Sequence, residues 1–498
     1  NRLKKIEDIT NNYSIEYSYD KNNNINYKKQ RFNNLTDEIN YTYDNSNRIT
    51  NINLNNTANI ETSYDNLSRI VNERLKAGSK SYITQYAYVS LENNKTTTDI
   101  SSVTNGTNSP IKYTYDAVGN IKTISEGNIL KATYYYDELN ELIREDNIDL
   151  NKTITYTYDI GGNLVEKVEY PYTTGTVGTA LKTINYGYTN MNWKDQLTSY
   201  DDKAITYDAI GNPLTYNGNT YTWQNGRTLT KIKQGTKTFE YKYNDNGIRT
   251  EKIVEGTVTK YYLEGTKVIY EKTGNDKIYY SYDENDKIVG LNKNGIQYYY
   301  IKNLQEDIIG ILDNSLQQIV SYKYDSWGNI ISIKDLNGNE ITNKNNIGII
   351  NPYRYRGYRY DAETGLYYIQ SRYYNPEWGR FLNGDSYGGQ IGELLSHNIY
   401  AYCLNNPINK ADHNGKFALV IGGAVSGVIA KLGIATLLTY ATVKVASLTE
   451  TIVDRTSSKV KAKSEPVTTN PNQKVYTVYV LKNKDDIVEY VGRTARPI

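Results

Sequence analysis

The sequence predicts a mainly β chain of antiparallel hairpins repeated along its length. Three observations predict it: a recurring Tyr-x-Tyr-Asp step followed by Gly-Asn, a near-constant spacing between copies, and an aromatic content supplied almost wholly by tyrosine. The clearest copy is YTYDAVGNI, Tyr113 to Ile121. Variants stand at Tyr41 to Ile49, Tyr134 to Leu142, Tyr156 to Leu164, Ile205 to Leu214, Tyr280 to Ile288 and Tyr322 to Ile330. Repetition at a fixed short period marks an array of small supersecondary units, each leaning on its neighbours.

Within one copy, the two tyrosines lie two apart and share one face of a strand. Asp116 is placed to bond the backbone two residues ahead and Gly119 to take a positive φ, which makes a hairpin tip. The following Asn-Ile or Asn-Leu restarts a second strand. Tyr115, Tyr136 and Tyr158 fall about 21 residues apart, room for two strands and two turns. The longer interval from Tyr64 to Tyr115 reads as a degenerate copy. The Asn-rich stretches NLNNTANI and NGNEITNKNN read as hairpin loops, because Asn tolerates left-handed backbone.

Composition narrows the function classes. With 498 residues a sizeable interior is affordable, yet 53 Tyr stand against 4 Phe, 4 Trp and 1 Met. Buried phenols need partners for their hydroxyls, which favours walls one layer thick. A net charge of +2 argues against an overall electrostatic dependence on nucleic acid or anionic membrane. One cysteine excludes an intrachain disulfide framework, and two histidines leave little for a His-based metal site.

The array is expected to occupy residues 1–345. At Asn351 the pattern changes to a dense block in which Arg and Tyr alternate, NPYRYRGYRYDAETGLYYIQSRYYNPEWGRFLNGDSYGGQ, ending near Lys416. Guanidinium groups beside phenol faces suit either a stacked ladder that closes a sheet or nucleic-acid binding; the carboxylates Asp361, Glu363, Glu377 and Asp385 favour the ladder. Residues 417–448 hold the long apolar run, expected to be helical, with 417–438 near the length that spans a bilayer and offering a transient membrane contact. A polar linker, 449–474, precedes two alternating strands in 475–498, read as the start of a truncated α/β domain.

The Tyr-Asp copies, together with YDAETGLYYIQSRYYNPEWGRFLNGD and NIYAYCLNNPINKADHNG, resemble the Rhs/YD-repeat family with its repeat-associated core domain, over residues 1–416. The resemblance implies a β-hairpin ribbon spiralling into a hollow shell, with the core domain at 346–416. It also implies a C-terminal toxin held in cis, delivery to a target-cell cytoplasm from a secreted or surface-located protein, and a cognate immunity protein. Family members end the core at two aspartates that cleave the chain just after the second. By position these are Asp385 and Asp412, although Ser386 and His413 stand where the family has prolines and Lys416 where it has leucine. The residues alone leave open a second role, as turn-capping carboxylates. The last strands resemble the opening of a GIY-YIG-type nuclease, with Tyr479 in the first signature and Tyr490 and Gly492 in the second. That resemblance implies a nucleic-acid substrate and a divalent metal bound by a carboxylate further along the complete protein. A non-enzymatic surface or adhesion protein, as in the teneurins, is the competing reading of the same repeats.

Overall fold

The computed structural model describes residues 2–421, apart from 9–12, 33–34, 93–94, 284, 387 and 390–393, and the two strands 476–482 and 488–495. Contacts divide the chain into one unit, Asn1–Lys431, and a second, Leu432–Ile498. The first holds both the repeat array and the Arg/Tyr-rich block.

In the first unit 31 strands, from Lys5–Asp8 to Ile330–Asp335, form one antiparallel sheet in which each strand hydrogen-bonds the next along the chain. The Tyr64–Tyr115 interval contains a further hairpin, Lys80–Ser90 with Thr96–Asn105, so the degenerate copy keeps the fold. In NLNNTANI the turn residues Asn55 and Asn56 both have positive φ.

The repeat owes its wording to two sets of hydrogen bonds. Inside a turn, the Asp116 carboxylate accepts the amides of Val118 at 3.0 Å and Asn120 at 2.8 Å, and the Asn120 side-chain amide at 3.0 Å. Gly119, at φ 92°, donates its amide to the Asp116 carbonyl, a backbone position that penalises a Cβ. Between hairpins, the second tyrosine donates its hydroxyl to the carbonyl of the aliphatic residue that restarts a strand in the preceding hairpin. Tyr115 bonds Ile100 at 2.7 Å, Tyr136 bonds Ile121 at 2.8 Å and Tyr158 bonds Leu142 at 2.8 Å. The same bond recurs at Tyr43, Tyr64, Tyr88, Tyr188, Tyr207, Tyr243, Tyr282 and Tyr324. A β-bulge just before the second tyrosine of most copies, as between Thr114 and Tyr115, re-aims that side chain. The first tyrosine, as at Tyr113, Tyr134, Tyr156, Tyr280 and Tyr322, is buried.

The sheet also coils back on itself. Tyr13 bonds the Leu263 carbonyl at 3.1 Å, Lys28 pairs with Glu264, and Phe32 packs on Tyr270 with ring centroids 4.6 Å apart. Further along, Asn105 bonds the Lys302 carbonyl, and Ser326 bonds Glu145.

Residues 353–416 pack against the array rather than forming a separate body. Their short sheet, Arg359–Asp361, Leu366–Ile369, Arg372–Asn375 and Arg380–Phe381, is buried at nearly every position. The hydroxyls of Tyr355, Tyr367, Tyr374 and Tyr400 donate to the carbonyls of Ser326, Gly328, Trp327 and Gly211, all in turns of the array. Of the stretch expected to be helical from residue 417, the described part is extended: Leu419–Val420 pairs with Lys410–Ala411. Edge pairing satisfies its backbone locally, at the cost of the helix. The remainder of 417–448 and the linker 449–474 lie outside the described residues. No helix among the described residues is long and apolar enough to cross a membrane.

If the two bond sets hold the array together, Tyr115→Phe should cost about 1 kcal/mol, the net worth of one hydroxyl bond, and Asp116→Ala should cost more because three donors lose their acceptor. Urea midpoints of the two variants check this order; a Tyr115→Phe loss equal to or above that of Asp116→Ala would contradict it.

Candidate functional site

The arginines of the block each meet a carboxylate or backbone oxygens. Arg356 pairs with Asp307 at 2.7 Å and Arg359 with Glu271. Arg354 donates to the carbonyls of Gly348, Ile349 and Asn351. Conversely, Arg249 of the array reaches into the block to bind Asp361 with both terminal nitrogens, at 2.5 and 3.1 Å, beneath the rings of Tyr241, Tyr261, Tyr368 and Tyr373. Although burial opposes ionisation, Arg249 and Lys252 hold Asp361 down at about 2. These guanidiniums are buried and spoken for, so the Arg/Tyr alternation serves closure and offers no face to nucleic acid.

One arginine differs. Arg372 opens a strand directly after the tight Gln370–Ser371 turn, and its Nη2 lies 3.0 Å from Asp385 Oδ2 and 3.2 Å from Asp412 Oδ2. The two aspartates thus meet on a single guanidinium nitrogen. Burial pulls the Arg372 guanidinium down from its ordinary range, and the two carboxylates oppose that shift. Its other nitrogens donate to the carbonyls of Ile399 and Gly415, so one side chain ties the segment beyond Asp385 to the segment beyond Asp412. The Phe381 ring lies 3.4 Å from its guanidinium carbon.

Asp412 is held by its own backbone. Its amide donates to the Tyr358 hydroxyl at 2.7 Å, and that hydroxyl lies 3.1 Å from Tyr402's. Its Oδ1 accepts the amides of Lys416 at 3.0 Å and Phe417 at 3.2 Å. It caps the 412–417 turn, and the same oxygen stands against the nitrogen of the Lys416–Phe417 peptide. Gly415 has φ 71°, and a Cβ there would lie 2.5 Å from the Ile369 carbonyl oxygen, so glycine lets this turn sit down on the block. His413, next in the chain, meets the Tyr358 ring edge-on, with centroids 6.2 Å apart. One carboxyl against a peptide nitrogen and a second held beside it on the same cation form a pair that can, in principle, give a proton to a leaving amine and take one from water.

In the second unit, Tyr476–Lys482 pairs with Val488–Ala495; Tyr479 lies opposite Gly492 and Leu481 opposite Tyr490. This register puts Tyr479 and Tyr490 on one face of the ladder, on diagonal positions. The two strands carry one carboxylate, Glu489, and no group of three His, Cys, Asp or Glu among the described residues could hold a metal ion. The described residues therefore do not by themselves fit a divalent metal.

Arg372, Tyr358 and Gly415 were not singled out by sequence reasoning. Arg372 is one of several arginines alternating with tyrosines, and its partners lie far along the chain. The glycine directly before Lys416 was the one local signal for a close approach.

No protein-family model matches the chain. It is 36% identical to the tRNA nuclease WapA of Bacillus subtilis over 296 residues, 58% of this chain and 12% of that protein. It is 25% identical to the toxin subunit YenC1 of Yersinia entomophaga over 374 residues, 61% of this chain and 36% of that one. Over 74 residues, 15% of the chain, it is 43% identical to the toxin protein Tse5 of Pseudomonas aeruginosa, 5% of whose length is matched. Among solved structures, TcdB2-TccC3-Cdc42 superposes with a TM-score of 0.55 at 19% identity, covering 81% of this chain and 24% of that one. The fold is therefore that of these antiparallel β toxin components. The relatives are thus a tRNA nuclease, a toxin subunit and a toxin protein, and the chain spans only a small part of the length of its WapA relatives.

The contact between block and array should respond to pH through Glu141. Burial first, then the neighbouring Asp137 and Asp159 carboxylates, push Glu141 up to about 7, while a 2.7 Å bond from the Asn405 side chain opposes them. The raised value means the folded protein holds this proton after the unfolded chain has released it. Stability from Glu141 is thus complete below its ordinary value of about 4.3 and is lost as pH rises through 7. Glu141→Gln, which keeps the acceptor, should flatten that part of the fall in thermal midpoint between pH 5 and pH 8; a fall as steep as the parent's would refute the assignment.

Proposed function

We propose that this chain is the repeat-and-core portion of an Rhs-type polymorphic toxin, which encloses a C-terminal toxin segment and releases it by cutting its own chain after Lys416. The observation that carries the proposal is the convergence of Asp385 and Asp412 on Arg372 Nη2, with Asp412 Oδ1 against the Phe417 amide. The reading is supported by similarity to toxins and toxin subunits along the repeats. In it, one aspartic acid protonates the departing Phe417 nitrogen while the other takes a proton from the attacking water; Arg372 holds both and, through the Gly415 carbonyl, the turn that presents the bond. The segment from residue 417 onward would be the cargo, an immunity protein its partner in the producing cell, and the apolar 417–438 stretch its contact with a membrane during delivery. The site of action would be the target-cell cytoplasm.

Expression of the 498-residue chain should yield an N-terminal fragment ending at Lys416 by intact mass, and Asp385→Asn and Asp412→Asn should each leave the chain whole. An uncleaved parent would remove the proteolytic claim.

For the cargo we propose a nuclease of the GIY-YIG kind, resting on Tyr479, Tyr490 and Gly492 sharing one two-stranded ladder. A divalent metal and its carboxylate would come from residues outside this ladder. The complete protein should cleave nucleic acid in a metal-dependent manner, and Tyr490→Phe should lower the rate at least a hundredfold, the usual contribution of a positioned proton-transfer group. An undiminished rate would rule out this site.

A further inference from the structure

Turns of a hairpin array alternate between its two edges; the Asp-capped turns at Asp313 and Asp335 fall on one, and those at Asp65, Asp116, Asp137, Asp159 and Asp208 on the other. Side-chain bonds link neighbouring turns there: Arg69 to Thr96, Asn120 to Asn140, Asn163 to Asp195, and Asn212 to the Gly226 carbonyl. Six turns on this edge carry an aliphatic or thioether side chain held out to solvent: Leu67 and, beyond the Lys80–Asn105 hairpin, Val118, Leu139, Ile160, Met191 and Ile210 on five consecutive hairpins. Ile160 is 97% exposed and Val118 75%. Leu67, Val118, Leu139 and Ile210 stand two residues after the capping aspartate, and Ile160 and Met191 one residue after Asp159 and Asn190; turns at either end of the run carry polar residues at the first of these places, Asn22 and Ser46 before it and Asn246 and Asn285 after it. The motif therefore accepts polar residues there, and the apolar run has a cause other than folding.

Trp327 shows what the same turn position looks like when protein covers it. It is 2% exposed, lies 5.8 Å from Tyr156 by centroid, has Gly379 against its ring, and has its carbonyl bonded by Tyr374. The six exposed residues have no comparable surroundings. They stand in single file, with successive hairpins about 10 Å apart. A row one side chain wide lacks the breadth of a stable protein interface, which takes about 800 Å² from each partner. A bilayer needs no matching shape, and aliphatic tips enter it one by one. The turns are suited to this, because the Asp carboxylate and its i+4 partner already satisfy the polar backbone that leaves water with them. Around these tips the charges Arg69, Glu138 and Lys194 are mixed in sign, so the row asks for no anionic headgroup.

We propose that this row of turn tips is a lipid-contact rim that seats the array on the surface of a bilayer, at the boundary between headgroups and acyl chains. It is distinct from the apolar 417–438 stretch and acts while that stretch is still present. Flotation of the 498-residue chain with vesicles of pure phosphatidylcholine tests it. The parent should float, with little change between low and high salt. Val118→Ser, Leu139→Ser and Ile160→Ser combined should lower the partition by roughly a thousandfold, about tenfold for each side chain withdrawn, with an unchanged far-UV spectrum and urea midpoint. Ser46→Leu lengthens the row by one turn and should raise partition about tenfold; it keeps the test decisive if the triple variant fails to fold. A parent that stays at the bottom of the gradient overturns the proposal, as does a folded triple variant that floats like the parent through residues 417–438. Dimers in the parent that the triple variant abolishes, without flotation of either, assign the row to a second copy of this chain and equally overturn it.

Discussion

The structure depends on one bond repeated from hairpin to hairpin, the tyrosine hydroxyl of one hairpin on a backbone carbonyl of the hairpin before it. An isolated two-stranded hairpin is marginal in water. A ladder of backbone bonds joins each hairpin to the next, but the residues beside a bulge leave it, and there the phenol supplies the missing donor. Phenylalanine would fill the same space without that donor, which accounts for the preference for tyrosine at this place in the repeat. The aspartate then makes the turn independent of its surroundings, so that copies can differ at the intervening positions without altering the backbone.

A sheet of this length needs an end, and the Arg/Tyr-rich block supplies one through polar bonds laid over a shared apolar core. Its tyrosines and asparagines donate to turn carbonyls and amides of the array, as Asn398 does to Gly162 and Asn406 to the Asn120 side chain. Its charges are neutralised across the contact, Arg249 on Asp361 and Arg356 on Asp307. Buried pairs of this kind add little net stability against an apolar alternative, yet losing one partner costs about 3–5 kcal/mol. They tie the block to the array, while Arg372 joins Asp385 to Asp412 through contacts within the block itself.

The hairpins, their spacing and the capping role of aspartate were legible in the sequence because each is a local rule acting within a few residues. The change at Asn351 was legible too, as a change of residue alternation. What the alternation concealed was which arginine faces what: Arg356, Arg359 and Arg372 look alike in the sequence and differ only in partners that folding brings from distant strands. Asp385 and Asp412 were found by resemblance, and their shared guanidinium nitrogen only by the fold. The extended course of Leu419–Val420 was hidden because an apolar run alone does not separate a strand from a helix. Pairing with Lys410–Ala411 decides it.

The central claim is that block and array form one cooperative body that carries the aspartate pair. Hydrogen exchange followed by mass spectrometry tests it most directly. Amides of Leu366–Ile369 and Arg372–Asn375 should open together with those of Lys152–Tyr158 and Leu164–Pro171, with one common rate under conditions where global opening dominates. Exchange of the block at a faster rate of its own, while the array stayed protected, would contradict the account.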